Sequence, residues 1–202
     1  MSRFARIQPE GEDRERVSCL DCGHVFYENP KIIVGAVVVQ DERVLLCRRA
    51  IEPRRGYWTL PAGYLELNET AAEGAARETW EEAGARIDVE GILAIFDIAR
   101  IGQVQIIHRA RFADPGAPDA RPGPESLEVG LFGWHGIPWD ELAFPSVRWA
   151  LDAWHQLGDA PLGAPFRNPP DDPRGEGVLP AEHAAAFTAA VRLPDPTRTL
   201  PS

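Results

Sequence analysis

The chain is expected to fold as an α+β domain, an α/β/α sandwich in which a mixed sheet lies between helices. Three observations predict this. The run IIVGAVVV, residues 32–39, is β-branched and almost wholly apolar, the pattern of a buried strand. Residues 70–84 and 146–157 carry small or apolar side chains at helical spacing. Further strand patterns stand on both sides of the first helix, so the strands must gather into one sheet that both helices cover.

The elements follow in order. Residues 1–30 are polar and hold Cys19-Leu20-Asp21-Cys22-Gly23-His24; they form an N-terminal segment, and the composition changes at Pro30. After the first strand, Asp41-Glu42 makes a tight turn and VLLCRR, residues 44–49, reads as the hairpin partner. Residues 50–57 contain Pro53 and Gly56 and form a loop. Trp58-Thr59-Leu60 gives one short strand, ended by Pro61 and Gly63. A helix begins at Thr70, whose hydroxyl caps it while Glu73 completes a capping box, and Gly84 supplies a left-handed stop. Strands are expected near 89–99, 103–112 and 127–134, with 114–124, rich in Pro, Gly and Asp, as an exposed, mobile loop. The second helix runs over 146–157, capped by Ser146. Residues 31–157 thus form the domain, and 158–202 a proline-rich tail with one short helix in AEHAAAFTAAV.

The composition narrows the function. A formal charge of −10 excludes a general nucleic-acid binder, which needs a basic face to displace counterions. No apolar run approaches the ~18 residues of a membrane span, and the first residues hold no apolar signal segment. Three cysteines make no disulfide framework, so cytoplasmic residence is expected.

The chemistry is concentrated in GYLELNETAAEGAARETWEEAGA, residues 63–85. At about 100° per residue, Glu78, Glu81 and Glu82 fall on one face of the helix. Like charges three and four apart repel, so something must compensate them. Mg²⁺ prefers oxygen ligands and takes one or two carboxylates with water and substrate phosphate, which suits an acidic ridge beside a diphosphate. Arg77 and Glu69 can pair across the start of the helix and aim the others.

The spacing of Gly63, Glu69, Arg77-Glu78, Glu81-Glu82 and Gly84 resembles the complete Nudix box, with Thr79 and Ala85 standing where that family has larger aliphatics. The resemblance implies a sheet and helix sandwich that binds Mg²⁺ or Mn²⁺ and hydrolyses the diphosphate bridge of a nucleoside diphosphate linked to a further group X. Carried over by position, Glu78, Glu81 and Glu82 are the metal ligands, Gly63 lends a carbonyl, and Arg77 with Glu69 orients the set. The catalytic residues it implies are these five side chains, with Glu81 one candidate for the base.

Outside the box, YENPKIIVGAVV, the stretch from VLLCRR to the box, and PGPESLEVGLFGWHGIPWDELAF are similar to a branch of that family with an N-terminal zinc ribbon, which contains ADP-ribose and FAD pyrophosphatases. This covers about residues 17–157. NADH pyrophosphatase is the alternative activity, and a Nudix module that senses a nucleotide without hydrolysing it is the alternative class. Glu128 is the candidate for a further ligand or base. Arg48, Arg49, Tyr64 and Gln103 are candidates for contacting substrate, Arg48 and Arg49 belonging to a basic cluster with Arg54 and Arg55. Cys19 and Cys22 form the only CxxC pair, with His24 as a third candidate for Zn²⁺; the alternative is a knuckle without metal. The branch resemblance also implies a homodimer.

Overall fold

The computed structural model describes residues 3–116 and 119–176. Two layers of helix enclose a mixed sheet, as expected. Its long strands are β4 (Lys31–Gln40), β5 (Arg43–Arg49), β8 (Ile87–Ile98), β9 (Gln103–Phe112) and β10 (Ser126–Gly133), in the order β10-β5-β4-β9-β8. β4 and β9 run parallel, and the other neighbours pair antiparallel. Asp41 and Glu42 both adopt positive φ in the β4–β5 turn, the conformation that a two-residue hairpin with right-handed strands requires.

β4 and β5 remain paired only at Val39 and Gln40 and then diverge. The gap admits two short strands: β6 (Trp58–Thr59) adds to β5, and β7 (Ala62–Tyr64) adds to β4. The splay brings residues 60–64 to the centre of the sheet. Gly35 makes this approach possible: a Cβ there would stand 2.5 Å from the Ala62 Cβ and 2.7 Å from the Pro61 carbonyl.

Alternation along β4 builds two cores. Ala36 and Val38 pack with Leu45, Cys47 and Phe112 against Ala83 and Ala85, at the end of helix α1 (Ala71–Ala83). Val37 faces the other way and joins Val44, Leu46, Leu93 and Phe96 under helix α2 (Pro145–Leu157), where Val147, Leu151 and Trp154 are buried. Thr79, where a larger aliphatic stands in the Nudix pattern, is fully buried and returns its hydroxyl to the Ala75 carbonyl.

Helix α1 has the expected caps: Thr70 and Glu73 form the capping box, and Gly84 closes the helix at φ 59°. Helix α2 differs. Ser146 does not cap it; Phe144 holds the N-cap position without a side-chain bond, and Pro145 opens the helix. Proline at the first helical position has a pre-set φ and lacks an N–H that would go unpaired, so Ser146 is the second helical residue, two positions past the N-cap, and is buried.

Three regions differ in character from the sequence reading. Within 1–30, strands β1 (Phe4–Ile7), β2 (Arg16–Cys19) and β3 (Val25–Phe26) form a separate small antiparallel sheet. The loop before β10 ends against helix α1, where the Arg121 and Gly123 N–H groups donate to the Ala83 and Glu82 carbonyls at 2.7 and 2.9 Å. These are carbonyls that a helix C-terminus leaves without an internal partner. After residue 157, the described part of the tail runs along the free edge of β8, with Phe166 bonded to both Leu93 and Ile95. The short helix expected in AEHAAAFTAAV lies outside the described residues.

Candidate active site

The box segment forms strand β7, a loop and helix α1, and Arg77 organises it. Its guanidinium grips Glu69 with two bonds, Nε to Oε2 at 3.0 Å and Nη2 to Oε1 at 2.8 Å. The other donors reach Glu78 at 2.7 Å, Glu81 at 2.9 Å and the Tyr64 carbonyl at 2.9 Å. One planar fork thus fixes three carboxylates and the loop before the helix, a geometry that lysine cannot reproduce. Arg77 holds the Glu69 carboxyl down to about 2, helped by the Glu66 N–H at 2.7 Å.

Two glutamates lie against backbone. The Glu78 carboxylate occupies the space over Gly63, where a Cβ would stand 2.3 Å from its oxygen. Glu82 accepts the Ala62 N–H at 3.0 Å and is 7% exposed. Burial pushes the Glu82 carboxyl up to about 8; the Ala62 bond works against this, and the Glu78 charge adds to it. Glu78 also lies above the ordinary carboxylate range, with burial again the main cause. Glu81 is the exposed member, its side chain 54% accessible.

These groups open onto a cavity of about 750 Å³. Glu78, Glu81, Glu82, Arg77, Gly63 and Tyr64 line one part of it, and Arg49 and Gln103 also face it. Arg49 donates to the Pro53 carbonyl at 2.8 Å and lies over the Phe144 ring. Burial opposes its charge, while Glu82 and Glu125 favour it. Ile98, Ile101, Phe144 and Trp149 supply an apolar remainder.

Two expected residues stand elsewhere. Successive side chains of a strand point to opposite faces. Arg49 therefore enters the cavity, while Arg48 donates to the Gly56 carbonyl and sits 3.5 Å from Glu128. Glu128 is spent on that exposed pair, outside the cavity lining. Glu125 lines the cavity in its place. Its position follows from the loop docked on α1: Gly123 lies so close to the Glu81 carbonyl that a Cβ would overlap it at 1.7 Å. The sequence reading had the signal, an acid three residues before Glu128 after a glycine and proline, but not the register. Arg54 is also structural, 6% exposed and bonded to the Ala143 carbonyl at 2.9 Å.

The donor sets can be set against the two metals expected. Among the described residues, no three His, Cys, Asp or Glu groups are placed to hold an ion on their own. A structural zinc wants four protein ligands. The knuckle supplies a single CxxC pair, of which Cys19 is buried, with the Cys22 and Asp21 backbones holding its thiol below the usual range, a shift that favours the thiolate. Cys22 is exposed, and the His24 ring packs edge-on against Phe26 at 4.7 Å. Mg²⁺ or Mn²⁺ needs only one or two carboxylates beside water and substrate phosphate. Glu78 and Glu82, gathered at the Gly63 backbone, meet that requirement.

Several known proteins are similar to this chain. A family model described as the NUDIX domain matches residues 29–154. A crystal structure of a NUDIX hydrolase from Nitrosomonas europaea shares 42% identity, covering 82% of this chain and 92% of that one with a TM-score of 0.76. A MutT-like protein of Streptomyces ambofaciens is 38% identical over 48% of this chain and 59% of its own length. An ADP-ribose pyrophosphatase of Methanocaldococcus jannaschii is 28% identical over 59% of this chain and 70% of its own. The chain thus spans less than two thirds of the Streptomyces relative. No helix among the described residues is long and apolar enough to cross a membrane.

Proposed function

The chain belongs to the NUDIX domain family, and from that premise we propose that it is a Mg²⁺- or Mn²⁺-dependent pyrophosphohydrolase of nucleoside diphosphates linked to a second group, of the ADP-ribose or FAD type. The observation that carries the proposal is the convergence of the Glu78 and Glu82 carboxylates on the Gly63 and Ala62 backbone, inside a cavity that also holds Arg49.

Each residue has a part that its contacts support. Glu78 and Glu82 would hold the cation. Arg77 and Glu69 keep the ridge in one posture, so that no rearrangement is needed when substrate arrives. The ion supplies charge neutralisation on the phosphates and acidifies water. Glu81, the accessible acid, would accept a proton from attacking water. Glu125 adds an acid at the end of α1, and Arg49 offers the substrate a guanidinium fork suited to phosphate oxygens. Trp149 and Phe144 give an apolar surface for a base. Cytoplasmic residence and a homodimer belong to the same reading.

The experiment is a panel of ADP-ribose, FAD, NADH, diadenosine polyphosphates and nucleoside triphosphates incubated with Mg²⁺ or Mn²⁺, with products identified. AMP and ribose 5-phosphate from ADP-ribose are expected. Preferential cleavage of NADH would move the substrate to the alternative, and tight binding of a nucleotide without turnover would replace the enzyme by a sensor.

A further inference from the structure

The segment after helix α2 packs Leu162 and Phe166 against the core, and its later residues reach beyond it. Residues 160–176 lie along β8 as a strap. Leu162 packs over Gly91, Phe166 exchanges backbone bonds of 2.9 Å with Leu93 and Ile95, and the Ala99 N–H donates to the Arg174 carbonyl at 2.9 Å. Covering an edge strand in this way blocks pairing with another chain.

Part of the strap stands in the wall of the cavity. Gly175 lines the cavity at φ 65°, wedged against β8 so closely that a Cβ would stand 2.5 Å from the Asp97 carbonyl and 2.9 Å from Ile98. The neighbouring wall comes from Ile98, Ile101 and Trp149, the last fixed edge-on to Phe96 at 5.5 Å. This part of the wall is largely apolar, with Arg100 between Ile98 and Ile101 in the lining. It suits a planar base, whereas Glu78, Glu81, Glu82, Arg49 and Arg77 suit phosphates and their cation.

One side chain holds the strap in register. Asn168 accepts the Asp97 N–H and donates to the Asp97 carbonyl, each at 2.8 Å, and its amide also reaches the Asp172 carbonyl at 3.2 Å. It therefore ties β8 to the turn that delivers Gly175, and the Asp172 carboxylate in turn takes the Glu176 N–H at 2.7 Å.

We propose that this strap is a specificity element, a wall that receives the nucleobase of the substrate, and that Asn168 is its positioning residue. The inference rests on the reading of the cavity as a nucleoside diphosphate site.

The test compares the full-length wild type with Asn168→Ala and with Gly175→Ala, which pushes the strap off β8 directly. Calorimetry measures binding of AMP and, separately, of inorganic pyrophosphate with Mg²⁺; kinetics on ADP-ribose give KM and kcat. Losing the Asn168 clamp should weaken AMP binding and raise KM about fivefold or more, while pyrophosphate binding and kcat stay within about twofold, because one hydrogen-bonded clamp is worth about that factor. AMP binding unchanged in both variants would overturn the proposal. So would equal weakening of AMP and pyrophosphate, which would mean general loosening of the fold, or a wild type that does not bind AMP. A wild type that binds AMP through the strap yet cleaves nothing in the panel would sink the hydrolase reading and leave the strap standing.

Discussion

Glu82→Gln removes one charge from the most buried carboxylate of the ridge while keeping an oxygen to accept the Ala62 N–H, so its effect on stability can be worked from the structure. In the metal-free protein the Glu82 carboxyl sits at about 8, against an ordinary value of 4.5, because burial disfavours its ionised form. A raised folded-state pKa means that the folded protein binds more protons than the unfolded chain between those two values. Stability is fully present below pH 4.5 and is lost as pH rises toward 8. The slope contributed by this one group is about 1.4 kcal/mol per pH unit, integrating to at most about 5 kcal/mol. Urea denaturation in EDTA at pH near 5.5 and near 7.5 should therefore show Glu82→Gln gaining about 2 to 3 kcal/mol on the wild type across that interval. Titrating groups that do not interact with Glu82 are common to both proteins and cancel, leaving charged neighbours such as Glu78 and Arg49 as the residual difference. Saturating Mg²⁺ should restore the wild type by mass action and leave the variant nearly unmoved, and kcat of the variant should fall at least about 10²-fold. A pH-independent stability difference between the two proteins would refute the burial argument; unchanged turnover would remove Glu82 from the metal site.

Other substitutions test the neighbours. Arg77→Lys keeps the charge but loses the fork that grips Glu69, Glu78 and Glu81, and steady-state kinetics should show kcat lower by about 10- to 100-fold with KM little changed, as for other ligand-orienting groups. Glu125→Gln should cost about tenfold in kcat/KM, on the scale of a group orienting a metal site, whereas Glu128→Ala should stay within about twofold, since an exposed ion pair contributes at most about 1 kcal/mol. The reverse order would return the fourth acid to Glu128. Gly35→Ala forces a methyl into the Ala62 and Pro61 contact and should destabilise by about 1 to 3 kcal/mol in urea, with activity falling further as the 60–64 loop shifts.

How much of this was legible in the sequence depended on how local the signals were. The capping box of Thr70 and Glu73, the stop at Gly84 and the shared face of Glu78, Glu81 and Glu82 are set within one helix, and all stand where the spacing puts them. The long strands were also readable: β4 and β5 carry apolar runs buried on both faces, while β8, β9 and β10 mix buried with half-exposed positions. What was missed depends on contacts between distant segments. Strand β7 exists because β4 and β5 part company at Val39, and no pattern within Ala62-Gly63-Tyr64 announces that. Arg48 and Arg49 carry the same chemistry in adjacent positions; only the strand's alternation, anchored by the register against β10, assigns one to the cavity and the other to Glu128. Pro-rich composition misled at the loop before β10 and in the strap for a related reason. Such segments make few side-chain patterns, so one reads as a mobile loop and the other as a plain tail, yet the loop bonds to the last carbonyls of α1, and the strap is held on the free edge of β8 by backbone bonds, Asn168 and the packed Leu162 and Phe166. A helix end and an open sheet edge each leave unpaired groups that irregular chain can satisfy. The places where such a segment can settle are therefore legible from the regular elements, even where the segment's own residues are silent.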